Sequence, residues 1–276
     1  MKAAMITLFC TALLGAALFG CGGKDDDTPN GPAVPQDSVP AVPGWTLVWN
    51  DEFNGTSVDP NKWEYEVNGD GGGNNELQYY TSRPQNSYID SGALVICARE
   101  ESYLGKSYTS ARMRTKWRGE WTYGRFEVRA KLPYGKGLWP AIWMLPTDWE
   151  YGGWPMSGEI DIMEMLGHEI NKVYGTIHYG PSWPNNQKSG GWYTLPTGNF
   201  CETYHTFVVI WTKTGFEWYV DGIKYYSVSK GTPFDKRFHM LLNVAVGGNW
   251  PGSPDGFTIF PQRMYVDFVR VYTKAE

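Results

Sequence analysis

Gly124-Arg-Phe-Glu-Val-Arg-Ala-Lys-Leu-Pro133 sets apolar side chains at Phe126, Val128, Ala130 and Leu132 against charged ones at Arg125, Glu127, Arg129 and Lys131. Successive side chains of an extended chain point to opposite faces, so this alternation predicts a strand with one face in a core and one in water. Further along, Phe216-Glu-Trp-Tyr-Val220 and Ile223-Lys-Tyr-Tyr-Ser-Val228 flank Asp221-Gly222. That dipeptide accepts positive φ at both positions, which a two-residue hairpin turn requires. Similar runs occupy 93–98, 206–212, 239–246 and 264–272, and no segment carries a long capped helical stripe. Many short strands separated by turn signals predict an all-β domain over 44–276, a jelly-roll β-sandwich of two packed antiparallel sheets.

Composition supports that class. Aromatic residues make up 16% of the 276, with 14 Trp and 18 Tyr, and 33 Gly and 18 Pro supply turns. Aromatic side chains suit pleated surfaces, while Gly and Pro suit the connections between short strands. So much indole has two readings: a Trp-rich core, or exposed faces that stack on sugar rings. The formal charge is −5 and the Lys and Arg are scattered. No basic stripe exists to follow a phosphate backbone, so nucleic acid is not an expected partner and a neutral ligand is.

Residues 1–20 read as a targeting segment: Lys2 precedes an apolar run that ends in small residues and is short for a membrane span. Its end, Leu18-Phe19-Gly20-Cys21, resembles the bacterial lipobox, which implies cleavage before Cys21 and lipid on that residue; a plain signal peptide is the alternative. The Lys24-Asp25-Asp26-Asp27 that follows resembles an acidic surface-export tag. Together they imply a lipoprotein at the surface of a Gram-negative outer membrane. Pro29, Pro32, Pro35, Pro40 and Pro43 then mark 21–43 as an extended tether that cannot bury a core. Cys97 and Cys201 fall in no metal-ligand spacing and read as two buried free thiols, with a pair in an oxidising compartment as the alternative.

The chemistry concentrates in Trp154-Pro-Met-Ser-Gly-Glu159-Ile-Asp161-Ile-Met-Glu164-Met-Leu-Gly167. On a strand Glu159 and Asp161 share a face, whereas Glu164, five residues from Glu159, would fall on the other. One extra residue at Ile162-Met163, a β-bulge, would return Glu164 to the carboxylate face. A calcium site or a solvated strand face are the plainer readings. Calcium, however, wants oxygens gathered about a point, and a solvated face would hardly be all acidic. Three neighbouring carboxyls repel, so at least one should hold its proton near neutral pH. A glycosidase needs that condition: one ionised nucleophile and one proton donor.

The Glu-Ile-Asp-Ile-Met-Glu run resembles the signature of glycoside hydrolase family 16 in its bulged form. The resemblance extends through Asp51-Glu52-Phe53, Asn74-Asn75-Glu76-Leu77-Gln78-Tyr79-Tyr80, Tyr108-Thr-Ser-Ala-Arg112 and Tyr123-Gly-Arg-Phe-Glu-Val-Arg129. It continues through Gly137-Leu-Trp-Pro-Ala-Ile-Trp143, Gly175-Thr-Ile-His178-Tyr179, Leu242-Asn243-Val-Ala-Val-Gly-Gly248 and Val266-Asp-Phe-Val-Arg-Val271. It implies a concanavalin A-like sandwich with a concave cleft, and endo-acting, retaining cleavage of β-1,3 or mixed β-1,3/1,4 glucan by a monomer. By the same resemblance Glu159 is the nucleophile, Glu164 the acid/base, and Asp161 the acid that tunes the nucleophile. His178 contacts Asp161, Asn74 binds the sugar nearest the cut, and Trp250 walls a more distant subsite. Trp139, Trp143 and Trp154 are sugar platforms, with one of the three expected in the core. Catalysis needs no cofactor; a structural calcium would be held by residues matching Glu52, Gly92 and Asp267. The rivals are a non-catalytic glycan-binding protein on the same sandwich and an agarase or carrageenase relative. The second would favour a basic cleft for sulfated substrates, and the chain is acidic.

Overall fold

The structure, a computed structural model, describes residues 39–275. The targeting segment, Cys21 and most of the tether lie outside the described residues. The first sheet has ten strands. Its main path runs β16 (Ile223–Ser229), β15 (Gly215–Val220), β14 (His205–Thr212), β9 (Gly124–Lys131), β18 (Gln262–Lys274), β5 (Ala93–Tyr103), β6 (Lys106–Ser110) and β3 (Gln78–Tyr80). Beside it, β1 (Trp45–Asp51) pairs with β18 and β4 (Ser87–Asp90) with β5. The second sheet has eight strands. It runs β13 (Gln187–Thr194), β12 (Lys172–Tyr179), β11 (Glu159–Glu164), β10 (Leu138–Pro146), β17 (Phe238–Val246), β7 (Arg112–Arg114) and β2 (Glu64–Tyr65), with β8 (Glu120–Trp121) on β17.

Pairing is antiparallel as expected, with one exception: β3 runs parallel to β6. The chain enters β3 after leaving β2 in the other sheet, not through a hairpin from β6, and a crossing connection permits parallel pairing. Leu77 N–H and Val246 N–H, bonded to the Val246 carbonyl and to Gln78 Oε1, tie that crossing to β17.

The period-two reading of β9 holds. Phe126, Val128 and Ala130 are fully buried, with Ile96, Val209, Val269 and Val271 from neighbouring strands. Across the interface stand Ile142, Ile160, Ile177, Leu242 and Val244 of the second sheet. Burying such a side chain is worth roughly 1.5–3 kcal/mol, so facing rows of this kind hold the sheets together. The hairpin also forms: Val220 pairs with Ile223, and Asp221 and Gly222 take φ of 49° and 80°. Glu127 departs from the alternation by being buried on the outward face, where Arg125 donates to its carboxylate at 2.6 Å. Nearby, Arg270 donates to both Glu52 oxygens at 2.9 and 2.7 Å, and Arg129 to Asp267 Oδ2 at 2.5 Å. Cys97 and Cys201 form no disulfide, and Cys201 is half-buried where full burial was expected.

The bulge is present. On β10, Ile142 opposes Met163 and Trp143 opposes Asp161, which leaves Ile162 without a partner. On β12, Asp161 opposes Thr176 and Glu164 opposes Tyr174, so three steps of β11 match two of its neighbour. Ile160, Ile162 and Met163 are buried in the core, and the odd residue turns Glu164 back to the face of Glu159 and Asp161. Deleting Met163 should therefore give a soluble, folded protein of lowered Tm, because a regular Glu-Ile-Asp-Ile-Glu strand keeps its parity. Deleting Ile160 should give aggregated protein, since a carboxylate then turns into the core. Circular dichroism melts of both deletions test this, and equal tolerance would contradict it.

Candidate active site

A cleft of about 940 Å³ lies against the second sheet, and Glu159, Asp161 and Glu164 all line it. Asp161 is only 2% exposed and Glu164 9%. His178 stands opposite Glu159 on β12, with Nε2 3.4 Å from Asp161 Oδ2. The indoles do more than offer flat faces. Trp154, in the loop before β11, donates its N–H to Glu159 Oε2 at 2.8 Å, and Trp139 donates to Glu164 Oε1 at 2.9 Å. Each glutamate is thus aimed by one tryptophan. Trp143 donates to Asn243 Oδ1 at 2.7 Å and carries the Arg112 guanidinium 4.6 Å from its ring. None of the three is in the core, contrary to the expectation for one of them. Trp139 and Trp143 share strand parity and both face the cleft, and Trp154 is 41% exposed.

Asn74 and Trp250 also line the cleft, at the Glu164 end of β11. Asn249 N–H bonds the Asn74 carbonyl at 2.8 Å, and the Trp250 ring meets Trp139 and Tyr174 edge-on at 5.5 and 5.0 Å. Glu52, Gly92 and Asp267 lie away from the cleft, around β18 and its neighbours β1 and β5.

Burial dominates the electrostatics. Desolvation, then repulsion from Asp161, pushes Glu159 up to about 8. Desolvation likewise pushes Asp161 up to about 8, opposed by a hydrogen bond with Glu159 and by the charge of Lys188. Glu164 is raised well above the ordinary range by desolvation and by the charges of Asp161 and Glu159. Geometry separates the three. Glu159 is the least buried and receives the Trp154 N–H, so it is the best placed to carry charge. Asp161 Oδ2 has no hydrogen-bond partner and neither has His178 Nδ1, and the contact between Asp161 and Glu159 lets the two carboxyls share one proton. Glu159, Asp161 and His178 present donor atoms within 4.8 Å of one another, the spacing of a metal group. Desolvation holds both carboxyls well above the usual carboxylate range, which favours a shared proton over two bare charges at this group.

Four further residues line the site: Glu76, Arg112, Lys188 and Asn243. Glu76 is 6% exposed, and Gln78 Nε2 and Tyr80 Oη hold its Oε2 at 2.6 and 3.1 Å. Tyr80 in turn accepts from Asn243 Nδ2 at 3.1 Å, which links Glu76 through Asn243 to Trp143. Arg112 and Lys188 supply the cleft's cationic side chains. Sequence reading quoted the stretches holding Glu76, Arg112 and Asn243 but could not show that they converge. An acid directly after Asn74-Asn75 was the available signal.

A two-sheet β-sandwich with an indole-lined cleft, and two aimed glutamates flanking a proton-sharing aspartate, defines the class of the β-sandwich glycoside hydrolases. Residues 74–269 match the glycosyl hydrolases family 16, and the chain belongs to that family. It is 41% identical over 286 residues to the β-glucanase of Rhodothermus marinus, covering 96% of this chain and 95% of that protein. It is 44% identical over 263 residues to glucan endo-1,3-β-glucosidase A1 of Niallia circulans, covering 84% of this chain but only 38% of that longer protein. Among solved structures, the laminarinase of Rhodothermus marinus matches with a TM-score of 0.80 and 44% identity, over 84% of this chain and 98% of that one.

The raised carboxyls imply a pH-dependent stability. Between the unfolded values near 4 and the folded values of about 8 for Glu159 and Asp161, the folded state holds protons that the unfolded state has lost. Stability therefore falls as pH rises through that window. Asp161→Asn removes one such carboxyl and the repulsion on Glu159, so it should raise Tm by at least about 3 °C more at pH 8 than at pH 5. Equal shifts at the two pH values would contradict the assignment.

Proposed function

We propose that this chain is an endo-acting, retaining hydrolase of β-1,3- or mixed-linkage β-1,3/1,4-glucan, with Glu159 as nucleophile and Glu164 as acid/base. One observation carries the reading: a bulged strand turns both glutamates into one open cleft, each aimed by an indole N–H. The glucanase and laminarinase names of the relatives support the substrate. The many indoles and the neutral-to-acidic character of the chain support an uncharged glycan.

In the first step Glu159, ionised and held by Trp154, forms a bond to the anomeric carbon. The glycosidic bond breaks and Glu164 gives its proton to the departing oxygen. Asp161 hydrogen-bonds Glu159 and follows its change of charge, with His178 beside it. Once Glu159 is esterified, its charge no longer raises Glu164. Glu164 can then take a proton from water, which displaces Glu159 with overall retention. Asn74, Trp139, Trp143, Trp154 and Trp250 bind the flanking sugars. The chemistry is carried by carboxyls and asks for no cofactor, and the protein works as a monomer.

Calcium, if bound at Glu52, Gly92 and Asp267, takes main-chain carbonyls and the Asp267 carboxylate. The Glu52 side chain does not fit as a ligand because Arg270 engages both its oxygens. No step depends on this ion.

Glu159→Gln and Glu164→Gln should each lower kcat on laminarin by at least about a thousandfold with Tm undiminished. Azide should rescue Glu164→Ala on an activated aryl glycoside, because a good leaving group needs no proton. Normal turnover in either Gln variant would overturn the assignment. Product analysis on laminarin, barley β-glucan and agarose sorts the linkage.

Cys21 carries the proposed lipid and 21–43 the tether, which places the catalytic domain 44–276 at the outer cell surface. The Leu-Phe-Gly-Cys run supports the lipid, and the Lys24-Asp25-Asp26-Asp27 run after it supports the surface position. Cys21→Ala should move the protein from the membrane to the soluble fraction with unchanged specific activity. Retention in membranes would put the anchor elsewhere.

A further inference from the structure

The face that carries the catalytic cleft does not stop at β12; it continues onto β13, the edge strand of the second sheet. Tyr174, Thr176 and His178 line the cleft, and their register partners on β13 are Trp192, Gly190 and Lys188. Residues directly opposite across an antiparallel pair point to the same side. The intervening residues agree. A Cβ on Gly191 would lie 2.7 Å from the Tyr226 ring, and Tyr193 stands 5.9 Å from Tyr225, both rings coming from β16 in the other sheet. Lys188, Gly190 and Trp192 therefore face the cleft side.

Their arrangement makes a trough. Gly190 has no side chain, so the floor stays low between a lysine on one wall and an indole on the other. Trp192 is 63% exposed, with the Lys172 ammonium 5.6 Å from its ring and 4.7 Å from that of Tyr174. Tyr174 meets Trp250, and Trp250 meets Trp139, whose N–H holds Glu164. Aromatic contacts thus run from the acid/base toward the sheet edge, where Trp192 continues the row. Edge strands are usually blunted by charges or proline. This one offers Gly-Gly-Trp-Tyr, with a large indole in water.

We propose that β13 carries an outer binding site for a neutral β-linked pyranose of a long glycan: Trp192 stacks on the ring, Gly190 is the floor and Lys188 donates to hydroxyls. The inference rests on the glucan-hydrolase reading and deepens it. The C–H face of a pyranose is apolar and its rim is polar, which matches an indole face beside an ammonium. Only a chain long enough to reach the edge strand profits from the site, so its effect must depend on substrate length.

The experiment compares kcat/KM on laminarin with that on laminaritetraose for the full chain and for Trp192→Ala and Trp192→Phe. Trp117→Ala is the control, since Trp117 is exposed but does not line the cleft. Trp192→Ala should lose about three- to tenfold on laminarin, through KM, and nothing on laminaritetraose. Trp192→Phe should recover most of the loss. Equal losses on both substrates, or none on either, would overturn the outer site while leaving the hydrolase reading intact. Retardation of a Glu159→Gln protein in a laminarin gel reads binding without turnover. If that retardation depends on Trp192 while the wild type cleaves neither substrate, the outer site stands and the hydrolase reading fails.

Discussion

Three carboxyl groups on one largely buried strand face cannot all be ionised, and the rest of the site is organised around that repulsion. Burial supplies the larger part of it: desolvation is the first cause of the rise at Glu159, Asp161 and Glu164 alike. Desolvation alone would leave three neutral acids and no nucleophile. What separates them is the placement of a few donors. Glu159 is the least buried and has an indole N–H and an imidazole near it. Asp161 lies on the cleft face almost without solvent contact, with one oxygen unbonded. Glu164 feels both other charges and so keeps its proton longest.

The second requirement is that two glutamates separated by an odd number of residues face one cleft. A regular strand cannot do this, because its side-chain period is two. The unpaired Ile162 resolves the conflict, and it does so at no loss to the core, since Ile160, Ile162 and Met163 all remain buried. The tryptophans then follow from the pleat. Trp139 and Trp143 sit on the cleft face of β10 by parity, and Trp154 reaches in from the preceding loop. Their N–H groups find carboxylate or amide acceptors, as a partly buried indole requires. The same rings that present flat faces to a sugar therefore also aim the groups that act on it.

Much of this was legible in the chain. Alternation in 124–133, the Asp-Gly turn and the spacing Glu159, Asp161, Glu164 are local patterns, and local patterns determine strand identity, face and the need for a bulge. The grouping of Asp161 with His178 was legible only through the family resemblance. Expecting one of three tryptophans in the core was wrong because composition says how many large rings exist but not which face of which sheet is covered.

The sequence by itself determined the class of fold, the acidic strand and its parity, because each depends on residues within a few positions of one another. The tertiary structure alone decided which distant groups meet. Glu76 joins the cleft through Tyr80 and Asn243, more than 160 positions apart. Trp192 comes to the cleft side of the sheet through the register of β12 with β13, and Glu52, just past the end of β1, is engaged by Arg270 of β18. Desolvation belongs to the same category. A carboxyl is raised by the whole shell that excludes water from it, and that shell is assembled from strands whose order in the sheets is not their order in the chain.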